Sequence, residues 1–432
     1  MNYKKSLEYL ENLTIYGIKT GVEHTKILAE GIGNPHNSFP SILISGTNGK
    51  GSTAAYLESI LKQNGYKTGL FTSPHLIDVR ERIRVNGELI SKKLFSYAIS
   101  KVKEKSLQLK KKKIIDEDPT FFEVLTLAAF QVFKEEGIDI AVVEVGMGGR
   151  NDCTNILDPV VSVVTNVSFD HQQYLGKTLK DISFEKSGIF RKERWALVGK
   201  TSFKVNQYLK NGAIKKGAKY ISLREGKIVK EDNGYLLKIQ KKEMKFPTPP
   251  LIGKHQITNV ALSVLICEKL KELGYKINEE SIKNGIKKCK WEGRIQKVMK
   301  KPDTYLDGAH NIDGIKCLKD FIKSLKQRKK VLLFGALKDK PIKKMVKIVE
   351  PFFNEIIFTR IEMKRGARKE DYEKIDLNRK LIFIKDPFKA LKKAREKAGV
   401  KGVVVVCGSL YLVGKILEKL KNKKMALWGT GL

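Results

Sequence analysis

The stretch GTNGKGST, Gly46 to Thr53, gathers three glycines, a lysine and three hydroxyl side chains in eight residues. That set suits phosphate: glycines let the backbone approach an anion, successive N–H groups converge on it, and a lysine balances its charge. The spacing is not the common GxxxxGK[ST], because only Thr47 and Asn48 separate the first two glycines and Gly51 stands between Lys50 and Ser52. Context decides whether such a turn binds anything. SILIS at 41–45 is an apolar run that reads as a strand, and TAAYLESILKQNGY carries apolar residues at helical spacing before a stop at Gly65. A loop between strand and helix aims its amides and the positive helix end at one point. Gly49, Lys50, Gly51 and Ser52 are therefore expected to hold ATP phosphates, with Mg²⁺ beside the Ser52 hydroxyl.

The elements that position this loop recur downstream. KTGLFTS reads as a strand ending at Ser73, IDIAVVEV as a buried strand carrying Glu144 near its end before GMGGRND, VVSVVTNV as a strand ending before Asp170 and His171, and RWALVG as a further strand. Helical patterns such as FFEVLTLAAFQVFKEEG lie between some of them. This alternation predicts an α/β fold with a mostly parallel sheet, in which ligands bind beyond the carboxyl ends of the strands. Ser73, Glu144 and His171 then project toward the phosphate loop. Each also has a bland reading: Ser73 before Pro74 as a turn initiator, Glu144 paired with a lysine, His171 as a satisfied loop histidine. Together they weigh more, because an acid ending an apolar strand is costly unless paired or metal-bound.

After about residue 200 the pattern changes. KYISLREGKIV and GYLLKIQ alternate as a small antiparallel insertion, FPTPP follows, and HQITNVALSVLICEKLKELG reads as a helix. KVLLFGAL, NEIIFTRI, KLIFIKD and GVVVVCGS are four more strand-like runs, which predict a smaller α/β domain. No GxGxxG is present, so no nicotinamide cofactor is expected.

Composition bounds the rest. A chain of 432 residues with 41% hydrophobic content exceeds the usual single-domain limit of about 250–300 residues, so two domains are expected. The charged N-terminus and the lack of any apolar run near the roughly 20 residues of a membrane span predict a soluble, cytoplasmic protein with no membrane partner. Five widely spaced cysteines without a CxxC pair speak against a disulfide framework or zinc site. The net charge of +37 would suit nucleic acid, but the lysines are scattered in short runs without interleaved aromatic residues. A solvated lysine-rich surface, attractive to small polyanions, is the expectation, and no nucleic-acid partner.

The ordered set GTNGKGS, TSPHLIDVRERIRVNG, PTFFEVLTLAAF, EVGMGGRNDCTN, TNVSFDHQQYLG, EKSGIF, HQITNVALSV, WEGRIQ and DGAHNIDGI resembles folylpolyglutamate synthase/dihydrofolate synthase, a branch of the Mur ligase superfamily. GIKTGVEHTKILAEGIGNPHNSFPSI upstream of the loop is similar to it as well, so the resemblance spans nearly the whole chain.

The resemblance implies an ATP-dependent ligase that phosphorylates a carboxylate and lets the amine of L-glutamate displace phosphate. It implies an ATP-binding domain over 1–293 with the folate or pterin site, and a Rossmann-like glutamate-ligase domain over 294–432. Lys50 and the Gly49–Ser52 backbone would hold the β- and γ-phosphates, with Asn259, Arg294 and Asp307 as further nucleotide contacts. Two Mg²⁺ ions are implied, with Ser73, Glu144 and His171 as ligands, although nitrogen is unusual for Mg²⁺. Lys186 in FEKSGIF matches a lysine that the family carries as a carbamate. His310 in DGAHN would lie near incoming glutamate, with Ser409 in the same pocket. Thr120, Phe121, Phe122, Glu123 and Asp152 match positions that contact dihydropteroate in bifunctional members, though the two phenylalanines equally suit a helix core. The implied substrates are ATP, L-glutamate and dihydropteroate or folates, and the implied state is a monomer. A cell-wall Mur ligase would carry a UDP-sugar domain of about 100 residues ahead of the loop, whereas 45 residues precede Gly46 here. A nucleic-acid-binding ATPase would leave DGAHN and EKSGIF without a role.

Overall fold

The computed structural model describes residues 1–14, 17 and 21–421; part of the segment GIKTG and the end of the range 294–432 lie outside the described residues. Strands β1 (Ser41–Ser45), β2 (Thr68–Phe71), β3 (Ile83–Val85), β4 (Glu88–Leu89), β5 (Ile140–Glu144), β6 (Val161–Val164), β7 (Trp195–Val198) and β8 (Lys219–Ser222) form one sheet in the order β4-β3-β2-β5-β1-β6-β7-β8. From β2 to β8 every pairing is parallel, and β3 and β4 add an antiparallel edge.

The central strands are buried on both faces, which is why they read as continuous apolar runs. Alternation still decides which residue goes where. Leu43, Val143, Val164 and Ala196 pack under helices Lys92–Lys111, Phe121–Glu135 and Phe203–Lys215. Ile42, Ile44, Val142, Val163 and Leu197 face Lys50–Gln63, Lys254–Glu272 and Glu279–Lys288.

The antiparallel insertion is present but begins later than its sequence suggests. β9 (Lys227–Glu231), β10 (Gly234–Ile239) and β11 (Lys242–Phe246) form a three-stranded antiparallel sheet, whereas Lys219–Ser222 is the parallel edge strand of the large sheet. Its Ile221 is buried against Leu197, so the run KYIS is claimed by the neighbouring core rather than by the hairpin that follows.

A second sheet comprises β12 (Gln296–Met299), β13 (Asp303–Leu306), β14 (Lys330–Phe334), β15 (Glu355–Phe358), β16 (Ile382–Phe383) and β17 (Val403–Cys407), ordered β12-β13-β17-β14-β15-β16. All pairings are parallel except β12 with β13. Helices Ile312–Ser324 and Ile342–Val349 cover one face, and Pro387–Ala398 and Leu410–Leu420 the other. Leu76 and Ile77, from the segment after β2, enter the second face's core, so the two sheets are joined by apolar contact as well as by chain. No helix among the described residues is long and apolar enough to cross a membrane.

Candidate active site

The carboxyl ends of β1, β2, β5 and β6 open onto one edge, and the loops after β13, β14 and β17 face them. Between the two walls lies a cavity of about 740 Å³ lined by residues from both. One wall carries Gly46–Ser52, Ser73, Glu144, His171, Lys186 and Asn259; the other carries Arg294, Asp307–His310, Lys340 and Ser409.

The phosphate loop is shaped by close approach. Gly46 has φ +147°, and a Cβ there would stand 1.9 Å from Thr165 Oγ1. Gly49 has φ +86° and caps helix Lys50–Gln63; its Cβ would stand 2.7 Å from Asn259 Oδ1. Only glycine fits either place. Asn259 thus abuts the loop, and its Nδ2 donates to Gln256 Oε1 at 3.0 Å. Lys50 Nζ donates to the Gly46 carbonyl at 3.1 Å, curled over the loop whose amides lead into the helix. This is an anion cradle at the positive end of a 14-residue helix.

Glu144 closes β5 with its carboxylate buried. The Ser73 N–H donates to its Oε2 at 3.1 Å, and Lys50 Nζ lies 3.8 Å from Oε1. Burial pushes its pKa up, and Lys50, that N–H, Arg294 and Arg82 oppose the rise without overcoming it. A buried carboxylate in that condition gains from a further positive charge, which is the observation that fits it to a divalent cation. Ser73 and His171 line the same cavity. Burial lowers the His171 pKa to about 4, with Lys340, His310 and Lys50 adding to the effect and Asp170 opposing it, so the ring is neutral and able to donate a lone pair. Among the described residues no three His, Cys, Asp or Glu side chains converge on a metal geometry, so the site depends on the mixed hydroxyl, carboxylate and imidazole set.

Lys186, on helix Leu179–Ser187, is 3% exposed and lines the cavity. Burial, then the charge of Lys50, pulls its pKa down to about 7, while Asp170 and Asp152 pull the other way.

The facing wall is equally organised. Asp307 accepts the Ile295 N–H at Oδ2 and the Ala309 N–H at Oδ1, both at 2.9 Å, so it fixes the turn that presents Arg294 and His310. His310 Nδ1 lies 2.8 Å from the Gly308 carbonyl, which makes Nδ1 the protonated nitrogen and leaves Nε2 with a free lone pair, 3.8 Å from Asp170 Oδ2. Burial, helped by Lys340, lowers its pKa. Ser409 caps helix Leu410–Leu420 through the Tyr411 N–H at 3.1 Å.

Thr120, Phe121, Phe122, Glu123 and Asp152 are not among the residues lining this cavity. Thr120 and Glu123 form a reciprocal capping box at the start of helix Phe121–Glu135, and Glu123 Oε1 also lies 2.8 Å from His24 Nδ1. Phe121 is buried under the Arg82 guanidinium, 5.2 Å from its ring centre. Phe122 packs on Phe71 and against the backbone of Gly146. Asp152 accepts the Met147 N–H at 2.8 Å and the Thr154 hydroxyl at 2.6 Å, so it shapes the loop after β5.

Sequence reasoning passed over four residues that join the walls. Asp170 pairs with Lys340 Nζ at 2.8 Å and accepts Asn311 Nδ2 at 3.1 Å, and Asn48 pairs with Asn311. Asp170 and Asn311 stood beside selected histidines, but Lys340 follows its strand with no motif to mark it.

The chain matches the Mur ligase middle domain over residues 44–267 and the Mur ligase, glutamate ligase domain over 293–410. It is 32% identical over 429 residues to a dihydrofolate synthase/folylpolyglutamate synthase of Bacillus subtilis (strain 168), covering 97% of this chain and 99% of that one. The protein of the same name in Escherichia coli (strain K12) is 30% identical, covering 97% and 95%. Among solved structures, E. coli FolC in complex with DHPP and ADP superposes with a TM-score of 0.87 at 30% identity over 98% of each chain. A bifunctional folylpolyglutamate synthase/dihydrofolate synthase with Mn, AMPPNP and L-glutamate bound gives 0.86 at 28% identity, again over 98% of each.

Proposed function

We infer the reaction from one premise: the chain belongs to the folylpolyglutamate synthase/dihydrofolate synthase branch of the Mur ligases. It is an ATP-dependent ligase that adds L-glutamate to folates and to dihydropteroate, releasing ADP and phosphate. The observation that carries this is the shared cavity, with the phosphate loop on one wall and His310 and Ser409 on the other.

A carboxylate resists amide formation because oxide is a poor leaving group. Transfer of the ATP γ-phosphoryl to the folate carboxylate creates an acyl phosphate, and the glutamate amine then expels phosphate. The first step is mostly positioning and charge neutralisation. Lys50 and the amides of Gly49–Ser52 hold the phosphates from one side, and Arg294 approaches from the other. Ser73, Glu144 and His171 would hold a divalent cation, whose charge would offset that of the phosphates when bound. Asn259 buttresses the loop, and Asp307 holds the backbone that carries Arg294 and His310. The free Nε2 of His310 is placed to accept a proton from the amine of glutamate, with Ser409 beside it. Closure of the two walls keeps water from the acyl phosphate.

Several finer points belong to the same reading. A second Mg²⁺ is consistent with the charge of a triphosphate; Lys186, neutral near pH 7, suits a carbamate; and Thr120–Glu123 with Asp152 serve the pteroate end by shaping the segments around it. The boundary between the two units is placed at residues 293 and 294, and the working state is a cytoplasmic monomer.

ADP release by the purified protein with ATP, Mg²⁺ and glutamate tests the conclusion, comparing dihydropteroate, tetrahydrofolate and no acceptor, with products identified by mass. Release with both acceptors is expected. Release with one alone reduces the function to that activity, and release with neither refutes the substrate class.

A further inference from the structure

Two asparagines from opposite walls form a reciprocal amide pair beside the cavity. Asn48 Nδ2 donates to Asn311 Oδ1 at 3.2 Å, and Asn311 Nδ2 donates to Asn48 Oδ1 at 3.0 Å. Each is also anchored within its own domain, and Asn311 makes one further tie across to the other, to Asp170. The Asn48 N–H donates to Asn166 Oδ1 at 2.9 Å, and its carbonyl accepts Thr165 Oγ1 at 2.7 Å. Asn311 Oδ1 also accepts the Gly314 N–H at 2.9 Å, capping helix Ile312–Ser324, and its Nδ2 donates to Asp170 at 3.1 Å. Asp170 in turn pairs with Lys340 at 2.8 Å.

These two ties differ in what they fix. An ion pair such as Asp170–Lys340 draws the walls together over a range of geometries, whereas two opposed N–H···O bonds fix both distance and direction. Asn48 immediately precedes Gly49 and Lys50, the residues that begin the phosphate-binding helix. A displacement of that backbone misplaces the amides that face the transferring phosphoryl group, and such transfer depends on placement to a fraction of an ångström.

We propose that the Asn48–Asn311 pair is a positioning device which sets the phosphate loop only when the C-terminal domain is docked, so that carboxylate activation waits for the wall carrying the glutamate pocket. This rests on the ligase reading of the cavity. It accounts for why the two asparagines bond to each other although each stands next to a group facing ligand. It also protects the acyl phosphate, since the activated carboxylate forms only in a site already closed to water.

Hydrogen exchange followed by mass spectrometry on the full-length protein with an ATP analogue and Mg²⁺ tests the pair directly. Asn48→Ala leaves the helix cap intact, and Asn311→Ser keeps a hydroxyl acceptor for Gly314 without adding charge, while losing the donor both to Asn48 and to Asp170; only the loss of the amide pair is common to the two variants. Each variant is expected to speed exchange on the other wall by about tenfold: Asn48→Ala at residues 312–316, and Asn311→Ser at 47–52. In glutamate-dependent ADP release, kcat is expected to fall by about tenfold with nucleotide Kd changed by less than about twofold, and the double variant to be no slower than the worse single one. Exchange changes confined to the mutated wall, or multiplicative losses of kcat, overturn the proposal. If the wild-type protein turns over none of the acceptors, the ligase reading fails, and cross-wall exchange still decides whether the pair couples the two domains.

Discussion

Lys50 Nζ stands 3.8 Å from Glu144 Oε1, and this one approach joins the phosphate loop after β1 to the acid that ends β5. The ammonium is the foremost of the groups opposing the rise that burial imposes on the Glu144 carboxyl. Neighbouring parallel strands make the approach inevitable, since Ile44 and Glu144 are in register.

Replacing Lys50 with alanine therefore removes the phosphate contact proposed for it and the counter-charge of Glu144 at once. ADP release in the complete assay is expected to fall by roughly 10²–10³, the range for loss of one preorganised charge-stabilising group. The apparent Mg²⁺ requirement should rise as well, because Glu144 becomes easier to protonate. Titrating Mg²⁺ at fixed ATP measures this, and a variant within tenfold of wild type would remove Lys50 from the chemistry.

His310→Ala separates amine handling from nucleotide handling. The imidazole is oriented by its Nδ1 contact with Gly308 O and lies on the wall opposite the phosphate loop. The expected result is a KM for glutamate raised by about tenfold with the KM for ATP changed by less than about twofold. Equal shifts in both would place His310 in the nucleotide site instead.

Glu123 holds the start of helix Phe121–Glu135, and its loss should register first as instability. Its carboxylate receives the Thr120 N–H at 2.8 Å and the Thr120 hydroxyl at 2.9 Å besides its contact with His24. Glu123→Ala leaves several buried polar groups without their acceptor, at about 2–4 kcal/mol by urea unfolding. Burial raises the Glu123 pKa, but the bonds to His24 and Thr120 outweigh it and the net shift is downward. A depressed carboxyl pKa contributes stability that is fully present above the ordinary value of 4.5 and is lost as pH falls through the folded value. The gap between wild type and Glu123→Gln should accordingly narrow below pH 4.5. A constant gap down to pH 3 would show that the charge contributes nothing.

The phosphate loop and the strands before Ser73, Glu144 and His171 were legible because parallel strands buried on both faces leave apolar runs that end where the ligand edge begins. The role of Thr120–Glu123 was half legible. TFFE reads as a ligand motif whose two phenylalanines equally suit a helix core; Phe121 lies in that core, and Thr120 with Glu123 closes a capping box that the sequence reading passed over. KYIS misled because an edge strand and the hairpin after it share one alternation, and only the packing of Ile221 separates them. β12 and β13 were hidden beside stronger signals, WEGRIQ and DGAHN, that flank them. The contacts that unite the walls, Asp170 with Lys340 and Asn48 with Asn311, join residues 170 and 263 positions apart. No local pattern encodes a pairing at that distance.

Lys186 offers a test in which pH, CO₂ and stability give separate readings. Its pKa is pulled to about 7 by burial and by Lys50. Above that value the amine is mostly neutral and can attack CO₂; below it the ammonium cannot, so carbamate forms less as pH falls through 7. The product is an anion facing Lys50, which reverses a repulsion into an attraction. Unmodified, the residue weakens the fold: between about 7 and 10.5 the unfolded chain binds the proton that the folded one has lost, so stability rises with pH across that window and the penalty is full below it. Lys186→Met should thus melt higher than wild type at pH 6 in CO₂-free buffer, yet release ADP poorly at every pH. Wild-type activity at pH 8 should drop when CO₂ is stripped and return with bicarbonate, and ¹³C-bicarbonate should give a carbamate resonance that Lys186→Met lacks. Full activity without CO₂, or a resonance that survives the substitution, would show that the lysine acts as an amine or that another residue carries the modification.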